Sequence, residues 1–91
     1  MNKPLILVVE DDIAVARLIA TTLDTQNYQY HRAQNGAGAL LDAASCRPDV
    51  MLLDLGLPDM DGVEVIRKIR EWSNMPIIVV SARTEDTDKV S

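Results

Sequence analysis

Four polar side chains follow directly after apolar runs in this sequence, and their types could support metal-assisted chemistry. They are Glu10, Asp11, Asp54 and Ser81. Carboxylates held in a small space repel one another, and a divalent cation reverses this effect by holding them ionised. A ligand set made only of oxygen atoms favours Mg²⁺ or Mn²⁺ over zinc. An aspartate beside such an ion can attack a phosphoryl group, and the Ser81 hydroxyl can donate a hydrogen bond to the phosphoryl oxygens.

The apolar runs predict the strands that carry these side chains. Strands are predicted at Leu5–Val9, residues 28–33, Val50–Leu53 and residues 77–80. The second of them is more polar than the others, so it is expected nearer to a sheet edge. Because ligands of open parallel sheets bind beyond the carboxyl ends of the strands, the four polar side chains are expected to meet at one edge.

Helical patterns fill the segments between the strands. Asp12 is a candidate cap for the first helix, whose buried stripe is predicted to contain Ile13, Ala16, Ala20 and Leu23. The second helix is predicted at residues 36–45, and the third is marked by Val63, Ile66 and Ile69 and is predicted to end at Asn74. Residues 84–88 resemble the start of a fourth helix, and the sequence stops inside it. This alternation predicts an α/β fold with a parallel sheet and helices on both faces.

Composition and charge exclude several function classes. The formal net charge is -5, with nine basic residues scattered among fourteen acidic ones, so direct nucleic-acid binding by this segment is not expected. The single cysteine rules out an internal disulfide. The first apolar run, Leu5–Val9, is too short for a signal-peptide core or a membrane span. We therefore expect a cytoplasmic protein that does not enter the membrane.

Each polar motif taken alone also has a purely structural interpretation. The acidic residues 10–12 can be a solvated helix cap, Asp54 can open a turn, and Ser81 indicates little by itself. The combination is more specific, because the predicted topology brings all of them to the same edge of the sheet.

Three segments resemble the opening signatures of bacterial response-regulator receivers. They are residues 7–12 (LVVEDD), residues 53–62 (LDLGLPDMDG) and residues 79–83 (VVSAR). The resemblance covers essentially the whole chain. It implies a flavodoxin-like, CheY-like three-layer sandwich with strand order 2-1-3-4, and it implies that Asp54 is the phosphoacceptor.

The resemblance also implies roles for five other residues. Asp11 matches the direct metal ligand, and Glu10 matches the acidic partner that usually acts through water. Gly56 matches the residue whose backbone carbonyl completes the protein ligands of Mg²⁺. Ser81 matches the switch hydroxyl, and Ala82 matches the small residue that leaves room for the phosphoryl group. Glu10 stands where Asp is more usual, a difference that many receivers share.

Within this family the chain is similar to the OmpR/PhoB subfamily, and most similar to the KdpE group of potassium-transport regulators. The similarity lies in residues 53–58, residues 70–73 and residues 76–89. It implies phosphorylation by a KdpD-like membrane sensor histidine kinase. It also implies a C-terminal winged-helix DNA-binding domain in the full protein, and a role in transcription regulation.

The sequence departs from a complete receiver at its C-terminus. A complete receiver adds a fifth strand, which ends in a phosphoryl-binding lysine, and a fifth helix. Lys89 falls in the predicted fourth helix and cannot be equated with that lysine. Residues 1–91 are therefore expected to be one incomplete receiver domain. The exposed apolar edge of its fourth strand invites a homodimer or an exchanged-element assembly.

Two other functions stay open at this point. The first is a receiver-like scaffold that no longer switches. The second is a phosphatase with an aspartate nucleophile, similar to haloacid dehalogenase-like hydrolases, which place a second Asp two residues after the nucleophile, where this chain has Gly56. The favoured interpretation is a phosphoryl-accepting signalling domain that assists its own phosphorylation and slow autodephosphorylation, and not a dedicated enzyme.

Overall fold

The computed structural model describes residues 3–80, which form four strands and three helices. The elements are β1 (Leu5–Val9), α1 (Ile13–Thr25), β2 (Gln29–Ala33), α2 (Gly36–Cys46), β3 (Val50–Leu53), α3 (Gly62–Arg70) and β4 (Ile77–Val79). The predicted start of a fourth helix, together with Ser81, Ala82 and Lys89, lies outside the described residues.

The four strands form one parallel sheet with the order β2-β1-β3-β4. Val9, at the end of β1, pairs with Ala33 of β2 and with Leu53 of β3, and Leu53 pairs in turn with Val79 of β4. The carboxyl ends of all four strands therefore lie level along one edge. The predicted strand order is confirmed, and residues 3–80 contain neither a fifth strand nor a fifth helix.

One face of the sheet packs against α2 and α3. Side chains alternate between the two faces of a strand, so Leu7 and Val9 of β1 and Met51 and Leu53 of β3 share this face. All four are buried, and they pack in one cluster with small or branched helix residues, namely Ala39, Ala43, Val65 and Ile69. Alanines on α2 let that helix lie close to the sheet.

The opposite face of the sheet packs against α1. Ile6 and Val8 of β1 point to this side and are buried, as is Ala16 of α1. Helices thus cover both faces, and the predicted three-layer α/β sandwich is confirmed. None of the helices within residues 3–80 combines the length and apolar character that a membrane span requires.

Each helix begins at an Asx residue whose side chain accepts backbone N–H groups. Asp12 Oδ1 accepts from Ala14 at 2.9 Å, Asn35 Oδ1 accepts from Gly38 at 2.7 Å, and the Asp61 side chain caps α3. Such caps satisfy donors that have no partner inside the helix, and each is worth about 1 kcal/mol. The predicted cap of the first helix is confirmed.

The predicted buried stripe of α1 is only partly buried, and the start of α3 is exposed as well. Ile13 is 56% exposed and Val63 is 50% exposed, because both open their helices at the edge of the packed faces. In α1 only Ala16 is buried, so the predicted stripe was wrong in its extent. Ile78 and Val79 are about half exposed, since β4 is the last strand of the described sheet.

The third helix ends earlier than predicted, at Arg70 and not at Asn74. The Arg70 guanidinium donates hydrogen bonds to the carbonyls of Ser73 and Met75, at 3.2 and 2.7 Å. The Ser73 hydroxyl accepts the N–H of Met75 at 3.1 Å. The N–H groups of Trp72 and Ser73 still bond to the Ile69 carbonyl, and these local bonds then hold the chain as it leaves the helix toward β4.

Candidate functional site

Three carboxylates meet at the carboxyl edge of the sheet. Glu10, Asp11 and Asp54 each offer an oxygen atom, and these atoms lie within 4.8 Å of one another. Glu10 and Asp54 are each only 2% exposed, and they are the two buried charged residues in the described part of the chain. The predicted meeting of these side chains is therefore confirmed for the acidic residues.

Backbone pairing beyond the strand ends fixes the positions of the two buried carboxylates. The Glu10 N–H donates to the Ala33 carbonyl at 3.0 Å, and the Asp54 N–H donates to the Val9 carbonyl at 3.0 Å. The parallel ladder thus continues one residue past β1 and β3. Because β1 and β3 end level with each other in this register, Glu10 and Asp54 stand at the same edge of the sheet.

The turn formed by residues 10–12 joins β1 to α1 and is held from both sides. Glu10 Oε2 accepts the N–H of Asp12 at 3.2 Å. The Arg32 guanidinium donates to the carbonyl of Glu10 through Nε at 3.0 Å and to the carbonyl of Asp11 through Nη2 at 3.1 Å. No sequence pattern indicated Arg32, since a single arginine on an edge strand usually points into solvent.

The loop that follows β3 is tied to its surroundings at several points. The Gly56 N–H donates to Asp54 Oδ1 at 3.1 Å. The Asp59 carboxylate accepts the first N–H groups of α2, from Gly36 at 2.7 Å and from Ala37 at 2.9 Å. These two donors hold the pKa of Asp59 below its usual value. No sequence pattern indicated these two contacts, because the partners of Asp59 lie more than twenty residues away.

Burial raises the pKa of Glu10 from 4.5 to about 7. The N–H of Asp12 opposes this rise, whereas a hydrogen bond with the Asp54 side chain and the negative charges of Asp54 and Asp11 add to it. The buried site therefore favours the neutral, protonated form of Glu10 over its anion.

In the metal-free chain, we expect Glu10 to lower the free energy of unfolding as the pH rises from about 4.5 to about 7. The folded chain holds the Glu10 proton more tightly than the unfolded chain does. The stabilisation is therefore complete below pH 4.5 and is lost as the pH passes through the folded-state value of about 7. Urea unfolding in EDTA at both ends of this window measures the effect. A Glu10→Gln variant should show a smaller pH dependence, and an unchanged dependence would contradict the assignment.

The sequence of the chain matches a known protein family. Residues 6–91 match the family described as response regulator receiver domain. The chain belongs to the response-regulator receiver family. The receiver fold is also found in the solved structure of the Francisella response regulator 1452 receiver domain, at a TM-score of 0.83 and 28% identity, covering 97% of this chain and 74% of that one.

Two of the relatives to which the chain is similar are KdpE regulators. The KDP operon transcriptional regulatory protein KdpE of Escherichia coli K12 is 45% identical over 86 residues, which are 94% of this chain and 38% of that protein. The transcriptional regulatory protein KdpE of Mycobacterium tuberculosis H37Rv is 48% identical over the same shares. The predicted family and the predicted likeness to the KdpE group are confirmed. The chain spans about 38% of the length of these relatives.

The predicted site residues fall into two groups in the structure. Glu10, Asp11 and Asp54 come together, and Gly56 lies next to Asp54 through its N–H. Ser81 and Ala82 lie outside the described residues, so their roles stay predictions. Val80 is the last described residue, and it donates its N–H to the Leu53 carbonyl at 2.8 Å.

Proposed function

We propose that this chain is the phosphoacceptor receiver of a two-component response regulator, with Asp54 as the residue that takes the phosphoryl group. One observation carries the proposal: the Glu10, Asp11 and Asp54 carboxylates meet at the carboxyl edge of the sheet, and Asp54 is 2% exposed. A buried cluster of like charges is unfavourable for folding unless a cation compensates it. Its presence therefore supports a role in binding and chemistry.

The donor set fits Mg²⁺ or Mn²⁺. Asp11 and Asp54 would hold the ion directly with their carboxylates, the Gly56 carbonyl would be a further ligand, and Glu10 would act through water. All of these donors are oxygen atoms, which hard divalent cations prefer. Bound there, the ion would neutralise negative charge on the phosphoryl oxygens.

In the proposed reaction, an Asp54 carboxylate oxygen forms a bond to phosphorus while the phosphorus–nitrogen bond of a donor phosphohistidine breaks. The donor imidazole is the leaving group. The Gly56 N–H on Asp54 Oδ1 fixes the plane of the carboxylate, and the burial of Asp54 limits access of competing water. We propose that the Ser81 hydroxyl binds a phosphoryl oxygen and that Ala82 leaves room for the group.

The cellular context follows from the relatives and is also a proposal. A KdpD-like sensor histidine kinase would phosphorylate the chain in the cytoplasm, and a C-terminal DNA-binding domain of the longer protein would respond. The receiver family consists of signalling domains and not of dedicated enzymes, and we propose only slow autodephosphorylation. Residues 1–91 would form one incomplete receiver domain. A homodimer through the β4 edge stays a prediction, supported by the half-exposed Ile78 and Val79.

Intact mass after incubation with acetyl phosphate tests the proposal. With Mg²⁺ we expect a gain of one phosphoryl group, and in EDTA we expect none. An Asp54→Ala variant should show no gain, whereas Asp24→Ala, which removes an exposed carboxylate from α1, should gain the group as the parent does. No gain in a demonstrably folded parent would favour the non-switching scaffold.

A further inference from the structure

We propose that Arg32 is a positioning residue for the metal-binding turn, an inference that rests on the proposed function. Its guanidinium binds two consecutive backbone carbonyls, those of Glu10 and Asp11, at 3.0 and 3.1 Å. These carbonyls belong to the residues whose side chains form two thirds of the acidic cluster. Arg32 would therefore act on the metal through the turn and would not touch the ion itself.

The geometry of the contact favours arginine over any other side chain. The guanidinium is a rigid planar fork, so Nε and Nη2 can satisfy two acceptors at once with little loss of freedom. Arg32 extends from the end of β2, on the strand next to β1, and it is half-buried. The fork thus bridges the edge strand to the turn and restrains both carbonyls relative to the sheet.

Other bonds also hold this turn. Its inner side is held by the Glu10 N–H to Ala33 and by the Asp12 N–H to Glu10 Oε2. Arg32 also forms part of the wall of an open groove of 270 Å³ between α1 and the sheet. Removal of the fork would take away both bonds of Arg32 to the turn, those to the carbonyls of Glu10 and Asp11.

A role of Arg32 through its positive charge and a role through positioning of the turn predict opposite changes in metal affinity when Arg32 is removed. If Arg32 acted only through its positive charge, its removal would favour a bound cation, because like charges repel. If Arg32 positions the turn, its removal weakens the site, and loss of such a supporting contact typically lowers metal affinity about 10–100-fold. The sign of the change therefore separates the two roles.

Calorimetric titration with Mg²⁺ alone makes this measurement on the parent chain and three variants. We expect Arg32→Ala to bind Mg²⁺ at least about 10-fold more weakly than the parent, and Arg32→Lys, which keeps the charge but loses the fork, to fall between them. Arg17→Ala is the matched control, because Arg17 lines the same groove from α1. It should bind Mg²⁺ as tightly as the parent or more tightly. Unchanged or tighter binding by folded Arg32→Ala would overturn the proposal.

A second measurement keeps the inference testable if the parent fails to bind Mg²⁺, a result that would count against the proposed function alone. Amide hydrogen exchange in EDTA reports the order of the turn directly. Arg32→Ala should accelerate exchange at Asp12, whose N–H is bonded to Glu10, while exchange in β3 stays as in the parent. Equal exchange at Asp12 in the variant and the parent would refute a positioning role.

Discussion

Mg²⁺ at about one hundred times its dissociation constant is expected to raise the free energy of unfolding by about 2.7 kcal/mol. The ion binds the folded chain, in which Glu10, Asp11 and Asp54 meet, whereas in the unfolded chain Asp54 is separated from the other two. The gain has the form of mass action, so it should grow by about 1.4 kcal/mol for each further tenfold rise in Mg²⁺. Urea unfolding followed across a Mg²⁺ titration measures it.

Asp11→Asn is expected to remove most of this stabilisation. The variant loses a proposed direct ligand, so its Mg²⁺ affinity should fall by more than about 10-fold, the lower range seen for mere supporting contacts. In EDTA, by contrast, it should be at least as stable as the parent, because one negative charge leaves the cluster. Asp24→Asn, an equal charge change at an exposed position of α1, should respond to Mg²⁺ as the parent does. Equal responses of the Asp11 and Asp24 variants would contradict the metal assignment.

Gly62→Ala is expected to lower the free energy of unfolding by about 1–3 kcal/mol, the usual cost of overpacking a filled site. A Cβ atom at Gly62 would lie 2.7 Å from the Leu55 Cα and 2.6 Å from the Leu55 Cδ2. The first of these atoms is backbone, directly after Asp54, and it can move only with the loop. The better helix propensity of alanine would offset at most about 1 kcal/mol.

Gly38→Ala is the matched control, because it makes the same change in the first turn of another helix. Its Cβ would lie 3.2 Å from Asn35 Oδ1 and 3.9 Å from the Ala33 Cβ, so the neighbours need to shift only slightly. We expect its stability to stay within about 1 kcal/mol of the parent. Urea midpoints at an unchanged denaturant slope compare the two variants. If Gly62→Ala proves as stable as Gly38→Ala, the close approach of the Leu55 backbone does not restrict this loop.

The sequence predicted those parts of the fold that depend on local patterns. The runs Leu5–Val9 and Val50–Leu53 match β1 and β3 because strands buried on both faces read as continuous apolar segments. Asp12 was recognisable as a cap because its acceptor reaches N–H groups only two and three residues away. The meeting of the acidic residues followed from the parallel topology alone.

The rest depended on contacts between distant parts of the chain. Periodicity shows which side chains share a helix face, but it does not show how much of that face the sheet covers, so Ile13 was wrongly expected to be buried. Arg32 and Asp59 have partners twenty or more residues away. A single charged residue in a sequence is usually exposed to solvent, so only the contacts in the folded chain show that Arg32 and Asp59 support the site.

The anchored loop after β3 has a further consequence for how the length of this segment can vary. Within residues 54–62, Asp54 accepts the N–H of Gly56, the Asp59 side chain accepts N–H groups of α2, and the Gly62 N–H donates to the Leu55 carbonyl at 3.2 Å. Surface loops usually accept inserted or deleted residues at little cost. In this loop, one added residue would shift these donors and acceptors relative to one another. Either the Asp59 bonds to α2 or the bond from Gly62 of α3 to Leu55 would then be lost. Length changes should therefore be far better accepted at the turn between α1 and β2 than in this loop.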